Sequence, residues 1–464
     1  MPRRAVSDFL ERTTEVASEL KAKLDRGTKV RINTHTDPDG VSAGGILTRC
    51  LNHYDIPFHI SFGGQPDREN LEKLGNSEYD FFVFLDQGTG QFDLIEELLL
   101  EKDKTVAILD HHPGSVESDS NLIFLNPHEF ELNGSNEISA SGVVYEVVKN
   151  FADRFSPLSE LALIGAVGDR QEHSKGFVGV NEVILDQALE DGFLGSKRGI
   201  KLTGRSKSLL NSVFRSINPF LPGLSGNMER CEELVEECGH DPDVSLEDLD
   251  EKDERKLFET IISELEVSPT DQLKNSLWGN LYVLKSGQTA GPKYIHDYVE
   301  MLIACEKLDK VSLGFSSLLG DDEGGHEALE SMGDYADNML KVLLSIESGE
   351  ENIRDTSTVK YVNLDAKVGS RMVGEIASVI VESGLVKPEK PVLVLAQSGD
   401  SGLKISARGT RECVERGIDL GKVMSEAAKE FGGSGGGHDV AAAARIPMGM
   451  RKEFIGKVNR ILEE

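Results

Sequence analysis

Aromatic residues make up only 6% of the 464-residue chain, with Trp278 the single tryptophan, and there are just five cysteines: Cys50, Cys231, Cys238, Cys305 and Cys413. Their odd number and wide scatter argue against a disulfide framework and for a reducing, cytoplasmic compartment. No Cys-x-x-Cys pair accompanies Cys231, Cys238 and His240, so a thiolate zinc site is not expected there. No apolar run approaches the ~18 residues needed to span a bilayer, and the N-terminal stretch lacks the apolar core of a secretory signal, so no membrane partner is expected. Basic residues are scarce as well: 50 Lys and Arg against 80 Asp and Glu leave a formal charge of −30. That balance counts against nucleic acid as a partner, because phosphate binding is dominated by Lys and Arg. The objection is a local one. Divalent ions on a carboxylate cluster reverse the sign where they bind, and one basic channel can coexist with an acidic exterior.

What the chain does have is a succession of apolar runs that end in acids and imidazoles. Its 39% hydrophobic and 28% charged residues are those of a globular protein, and its length predicts two or three domains. Phe9, Leu10, Thr13, Val16, Ala17, Leu20 and Leu24 recur at helical spacing, so 7–24 reads as an amphipathic helix. A strand over 28–34 then opens into His35-Thr-Asp37-Pro-Asp39-Gly40, ahead of a helix over 41–51. Asp-Pro-Asp-Gly alone is a common turn, but one imidazole and two carboxylates there can also converge on a divalent ion. The second apolar run, 80–85, stops at Asp86-Gln-Gly88, and the third, 105–109, at Asp110-His111-His112 before Pro113-Gly114. A strand over 121–125, a helix over 138–150 and a helix from 158 to Gly168-Asp169-Arg170 follow. Such strands, alternating with helices, predict a buried parallel sheet, and open sheets of this kind place their chemistry at the carboxyl ends of the strands.

His35, Asp37, Asp39, Asp86, His111 and Asp169 are therefore the candidate ligands, with His112 beside them. Carboxylates and imidazoles without thiolate suit Mn²⁺ or Mg²⁺, and six ligands suffice for two ions with one aspartate bridging. Two ions ~3.5–4 Å apart activate a water and stabilise the leaving oxygen of an in-line displacement at phosphorus. Hydrolysis of a phosphodiester or phosphoanhydride is the expected reaction. Asp110 reads either as a carboxylate orienting an imidazole or as a plain strand-end cap.

Lys197, Arg198, Lys201, Arg205, Lys207 and Arg215 form the most basic stretch, with Phe214 and Phe220 among them. Lys201 and Arg205 are its candidate contacts to a single strand, which wants cations beside aromatic surfaces. A solvated interdomain linker is the alternative. The acid-rich stretch 232–256 reads as an inserted helical subdomain and partner surface. Helices are expected over 296–303 and 339–346, with a hinge at 345–352. A compact α/β tail follows: strands over 360–364, 392–396, 403–408 and 440–446, and helices over 371–383 and 420–431. Within it, Gly432-Gly-Ser-Gly435-Gly436-Gly437-His438 is either a linker or a loop whose backbone N–H groups and imidazole cradle an anion. Ser406 and Arg408 on the preceding strand would serve the same anion.

With these residues in place the chain resembles the DHH phosphoesterase superfamily. His35-Thr-Asp-Pro-Asp-Gly40, Leu85-Asp-Gln-Gly88, Asp110-His-His112 and Gly168-Asp-Arg170 occur in family order, and Ile405-Ser-Ala-Arg408 with Gly435-Gly-Gly-His438 is similar to the DHH-associated domain. Val41 stands where the branch acting on oligonucleotides and cyclic dinucleotides carries a further acid, so the chain looks like the RecJ branch and its archaeal RecJ-like nucleases. The resemblance implies an α/β architecture in three parts: a parallel-sheet catalytic domain over 1–195, a mainly helical insertion over 196–272, and a smaller substrate-binding domain over 273–464. It also implies Mn²⁺-dependent exonucleolytic release of nucleoside monophosphates from single-stranded DNA or RNA in replication or repair, and association with the GINS complex of the replicative helicase. A phosphodiesterase of short oligonucleotides or dinucleotides is one alternative. A replication scaffold similar to the eukaryotic helicase cofactor of this superfamily is another, disfavoured by the intact set of six ligands.

Overall fold

Short apolar runs build a five-stranded sheet from β1 (Val30–Thr34), β2 (Phe58–Phe62), β3 (Phe81–Leu85), β4 (Thr105–Leu109) and β5 (Leu122–Leu125). The structure is a computed structural model describing residues 2–463 apart from Arg26, Ser118, Ser174, Lys175 and Pro388, the side chains of Pro2 and Arg3 also excepted. All neighbouring strands are parallel, in the order β2-β1-β3-β4-β5. β3 is buried at every position, as a strand covered on both faces must be. Its side chains alternate between two cores. Phe81, Val83 and Leu85 face the large one, and Phe82 and Phe84 face a smaller one with Phe92, Ile95 and Leu98.

The large core is closed by α1 (Pro2–Lys23), α2 (Pro38–His53), α3 (Ala140–Val148) and α4 (Ser159–Gly168). α2 is packed on nearly all sides: every residue from Pro38 to Thr48 is buried. The absence of a Cβ at Gly44 and Gly45, where one would come within 2.9 Å of Ile60 and 3.2 Å of Leu161, lets it sit that deep, and burying each Leu or Ile contributes roughly 1.5–3 kcal/mol. The sequence pattern anticipates β1, β3, β4 and β5 to within two residues. β2, with its half-exposed pattern and interrupting His59 and Ser61, is not anticipated.

The chain divides into two compact units, residues 1–197 with 280–332 and residues 198–279 with 333–464. A single C-terminal domain over 273–464 is thus not observed. Residues 280–332 join the first unit because their helices complete its core: Tyr298 and Leu302 of a helix over Ile295–Lys307, and Leu318 of another over Val311–Leu318, are buried there. Polar clamps fix the same segment. Glu160 Oε1 accepts from the backbone N–H groups of Lys285 (2.7 Å) and Ser286 (2.9 Å), and Arg49 donates to Gln288 Oε1 (2.8 Å) and Leu318 O (2.7 Å).

In the second unit, the insertion has its own core around Ile200, Leu209, Leu234, Val235, Leu257 and Ile261, and Cys231 and Cys238 are buried in it as free thiols. The tail carries a six-stranded mixed sheet. Its strands are β8 (Arg354–Asp355), β9 (Lys360–Asn363), β10 (Val392–Ser398), β11 (Gly402–Arg408), β12 (Ser434–Gly437) and β13 (Ala441–Pro447), numbered after the pair β6 (Leu194–Ile200) and β7 (Trp278–Leu284). The order is β12-β13-β11-β10-β9-β8. Leu403, Ile405 and Ala407 face a core shared with helices over Leu420–Glu430 and Arg451–Glu463. No helix among the described residues is long and apolar enough to cross a membrane.

The glycine run is not a free loop. Ser434–Gly437 is an edge strand paired with β13, and a Cβ on Gly435 would lie 2.4 Å from the carbonyl oxygen of Met424 on the neighbouring helix. Close packing of strand on helix therefore accounts for a glycine that the sequence reading gave to an anion cradle.

Candidate metal centre

Parallel register does most of the work of assembly. Thr34 pairs with Leu85 and Leu85 with Leu109, so the residues that follow, His35, Asp86 and Asp110-His111, leave three adjacent strands at one edge. Asp86 takes a left-handed backbone conformation, φ 57°, which is uncommon for non-glycine residues and tolerated best by Asp and Asn. Asp37 caps α2, accepting from Gly40 N at 3.0 Å, and Asp39 follows in the first turn. Asp39 is 1% exposed and receives the N-terminus of α3: Ala140 N reaches its Oδ2 at 2.7 Å and Ser141 N its Oδ1 at 2.9 Å. Only glycine fits at position 165 of α4, where a Cβ would lie 2.4 Å from Asp39 Oδ1. Asp169 ends the same helix.

The six expected ligands come together. His35 Nδ1 lies 2.7 Å from Asp37 Oδ2 and 3.6 Å from Asp86 Oδ2. His111 Nε2 lies 3.2 Å from Asp86 Oδ1 and 3.9 Å from Asp39 Oδ2, and its Nδ1 lies 3.7 Å from Asp169 Oδ2. Three overlapping groups result: the triads His35/Asp37/Asp86 and Asp39/His111/Asp169, and a set of Asp86, Asp110, His111 and His112 that joins them through Asp86 and His111. Asp110 stands behind: fully buried, it accepts at Oδ1 from His111 N and His112 Nδ1, both 2.8 Å, and at Oδ2 from Thr89 N at 3.1 Å. His112 is 41% exposed and faces outward.

Some supporting residues have no sequence signature. Gln171 donates to Asp169 Oδ2 (2.7 Å) and is held by Asn181, while Asn126 donates to Thr89 Oγ1 and to His112 O. Glu306, paired with Lys307 at 2.9 Å near the end of the 295–307 helix, is electrostatically felt by both His35 and Asp37. It lies about 270 residues along the chain from them, in a segment with no local pattern.

Charge is crowded here. Burial, with Asp37 and Asp39 nearby, drives the Asp86 carboxyl well above its usual range despite His111. Burial likewise lifts Asp169 to about 7, against the pull of His111 and with Asp39 adding to it. Burial opposes the charged form of both histidines, but neighbouring carboxylates overcome it: Asp37 raises His35 to about 10, and Asp86 with Asp169 raises His111 well above 6.5. Burial also works against the Asp110 carboxylate, which its bonds to His112, His111 and Thr89 nonetheless hold down at about 2. The set fits a divalent cation. Asp86 Oδ2 is buried with no hydrogen-bond partner, and the donors are carboxylate oxygens and imidazoles without thiolate. Ligands must shed protons to bind metal, so loading is expected to release protons and to tighten as pH rises from about 6 to 8. Calorimetric titration with Mn²⁺ in buffers of different ionisation heat measures both, and an affinity flat across that range would contradict the arrangement.

Comparison with known proteins places this centre. A model described as the DHH family, N-terminal domain, matches residues 29–168, and one described as the DHHA1 domain matches residues 357–464. An uncharacterized protein of Methanocaldococcus jannaschii is 31% identical over 98% of both chains. The chain belongs to the DHH family. Among solved structures, CDC45 from Entamoeba histolytica superposes with a TM-score of 0.67 at 10% identity, covering 97% of this chain and 99% of that one. RecJ in complex with Mn²⁺ from Thermus thermophilus gives 0.57 at 16% identity, over 97% of this chain and 55% of that one. The chain thus spans about half the length of that RecJ, and both likenesses are of fold. Five of the six expected ligands lie within the residues matched by the N-terminal model, and Asp169 is the next residue after it.

The DHHA1 residues are arranged partly as expected. Ser406 and Arg408 share one face of β11: Arg408 donates to Ser406 Oγ (3.1 Å) and Ser378 Oγ (2.8 Å). Pairing of Arg408 with Ala441 and of Gly437 with Ala442 brings the exposed His438 to the same end of that sheet. The His438 N–H is committed to Ala441 O at 2.8 Å. In the insertion, Arg205 is not a strand contact. It is 1% exposed and pairs with Glu254, also 1% exposed, at 2.7 Å, while donating to Ile200 O and Leu246 O. The cation is consumed in holding the insertion together. Lys201 is half-buried.

Proposed function

We propose that this DHH protein is a divalent-metal-dependent exonuclease acting on single-stranded DNA, with RNA as the alternative strand, and releasing nucleoside monophosphates in DNA replication or repair in the cytoplasm. The observation that supports the reading is the meeting of the His35/Asp37/Asp86 and Asp39/His111/Asp169 sets at the 3.2 Å approach of Asp86 Oδ1 to His111 Nε2, beside the buried and unpaired Asp86 Oδ2. Mn²⁺ is the preferred ion, as in the RecJ complex named above, with Mg²⁺ as its substitute. When bound, two such ions supply an activated water and stabilise the leaving oxygen.

The protein's own groups do the remaining work. His35, Asp37 and Asp86 would hold one cation and Asp39, His111 and Asp169 the other. Asp110 fixes the ring of His112, whose exposed edge is offered to the scissile phosphate. Ser406, Arg408 and His438, with the backbone of Gly436 and Gly437 at the open edge of β12, bind a phosphate of the same substrate. Arg408→Ala is then expected to raise KM for a strand about ten-fold or more with a smaller change in kcat, and Arg408→Lys to recover part of it, as for a lost charge-assisted bond. An unchanged KM in the alanine variant removes the residue from the substrate site.

Fold alone does not separate a nuclease from a scaffold joined to GINS and the helicase, since RecJ and CDC45 both share it. The complete ligand set favours the enzyme, and GINS is proposed as its partner. A phosphodiesterase of short oligonucleotides is the competing activity. End-labelled DNA and RNA strands of increasing length, incubated with Mn²⁺ or Mg²⁺ and read for product size, decide: mononucleotides from strands of every length support the proposal, and cleavage confined to two- to five-residue substrates rules it out.

A further inference from the structure

The insertion carries a second feature of nucleic-acid chemistry. Arg198, Glu251, Lys252, Arg255 and Trp278 line an open hollow of about 530 Å³. Three of the five side chains are cations, in a chain whose formal charge is −30. Among the described residues neither Arg198 nor Lys252 has a carboxylate within 4 Å, so both are offered to a ligand, and both are exposed. Arg255 stacks on the indole, with its guanidinium carbon 5.1 Å from the ring centroid, and is only loosely paired to Glu259 at 3.6 Å. Trp278 itself is half-buried against Phe258, ring centroids 5.6 Å apart, and leaves part of its surface to the hollow.

We propose that this hollow binds a stretch of single-stranded nucleic acid outside the metal centre, one base stacking on Trp278 while Arg198, Lys252 and Arg255 meet the flanking phosphates. The inference rests on the strand substrate proposed above and adds to it a contact in the insertion. Cations beside an aromatic face are what backbone-tracking, sequence-tolerant binding requires, and guanidinium forks match phosphate oxygens in pairs. Glu251 is the one repulsive neighbour; it can accept from the amino group of a base. An acidic peptide would use the cations but leave the indole without a stacking partner, and the planar face selects the nucleobase. The contact that the sequence places at Arg205 thereby moves to Arg198 and to the helix over Glu251–Glu264.

Because Trp278 is the only tryptophan, its fluorescence reports on this hollow alone. Titrating the metal-free, full-length protein with a fluorescein-labelled dT strand of about 20 nucleotides should quench that emission in step with the rise in anisotropy, and salt should weaken both. Lys252→Glu and Trp278→Ala should each weaken binding of the long strand about ten-fold while leaving Mn²⁺-dependent turnover of a trinucleotide unchanged. Lys252 is an exposed helix position, so its variant keeps the test valid if Trp278→Ala disturbs the fold. Indole emission unmoved while anisotropy saturates, or both variants binding the long strand like wild type, overturns the inference with the nuclease reading intact. Quenching by an oligoglutamate peptide but not by dT assigns the hollow to a protein partner and equally overturns it. Absence of cleavage of any strand instead defeats the proposed function.

Discussion

Asp86→Asn is expected to abolish metal-dependent hydrolysis, by about a thousand-fold or more, while making the metal-free protein more resistant to heat. The first effect follows from position: Asp86 belongs to one triad and lies 3.2 Å from His111 of the other, so its loss would take a ligand from one cation and disturb the second, each of which would supply several kcal/mol of charge stabilisation in the transition state. The second follows from electrostatics. Burial and the nearby Asp37 and Asp39 raise the folded-state pKa of Asp86 above its unfolded value of about 3.9, so at neutral pH the side chain costs stability. That cost appears as pH rises through the unfolded value and is absent below it. Asparagine keeps the shape and removes the charge. Thermal scans with and without Mn²⁺ would show wild type stabilised by the ion, by about 2.7 kcal/mol at a hundredfold excess over Kd, and the variant indifferent to it. A variant destabilised without metal would mean that Asp86 is a structural acid. Asp39→Ala is a poorer probe, since it also orphans two backbone N–H groups at the start of α3, at roughly 1–3 kcal/mol each.

Arg205→Met is expected to cost about 3–5 kcal/mol of stability, because it leaves the buried Glu254 carboxylate without its guanidinium, although the Ile200 N–H still donates to it at 2.8 Å. The paired change Arg205→Met with Glu254→Leu should recover most of that loss, since replacing a buried ion pair by apolar groups of similar size is often close to neutral. Urea denaturation of the single and double variants beside wild type measures the set, with Mn²⁺ affinity as a control that should not move. A single variant within about 1 kcal/mol of wild type would return Arg205 to the surface role that its sequence context suggests.

Arg205 also marks where sequence reading reaches its limit. A run of six cations looks like a groove when only its spacing is visible, but partners decide burial, and Glu254 lies 49 residues away. The metal centre was legible for the opposite reason. The candidate ligands sit at the ends of four apolar runs, and the register of three adjacent strands already brings His35, Asp86 and His111 to one edge. Asp169 was legible because it interrupts the apolar helical run from 158 at Gly168-Asp169-Arg170. Gln171, Asn181 and Glu306 were not, since polar residues that support a site from behind follow no period. The glycine run at 432–437 carried too little information to tell a loop from an edge strand. Its partner, the alanine-rich β13, has small side chains that suit either.

The most direct test of the two-cation centre is to measure bound Mn²⁺ and strand hydrolysis in one titration of the full-length protein. Turnover of end-labelled single-stranded DNA should appear only as the second ion loads, reach its plateau at two ions per chain, and vanish in Asp86→Asn. Hydrolysis that persists in excess chelator, or a plateau reached with one ion bound, would contradict it.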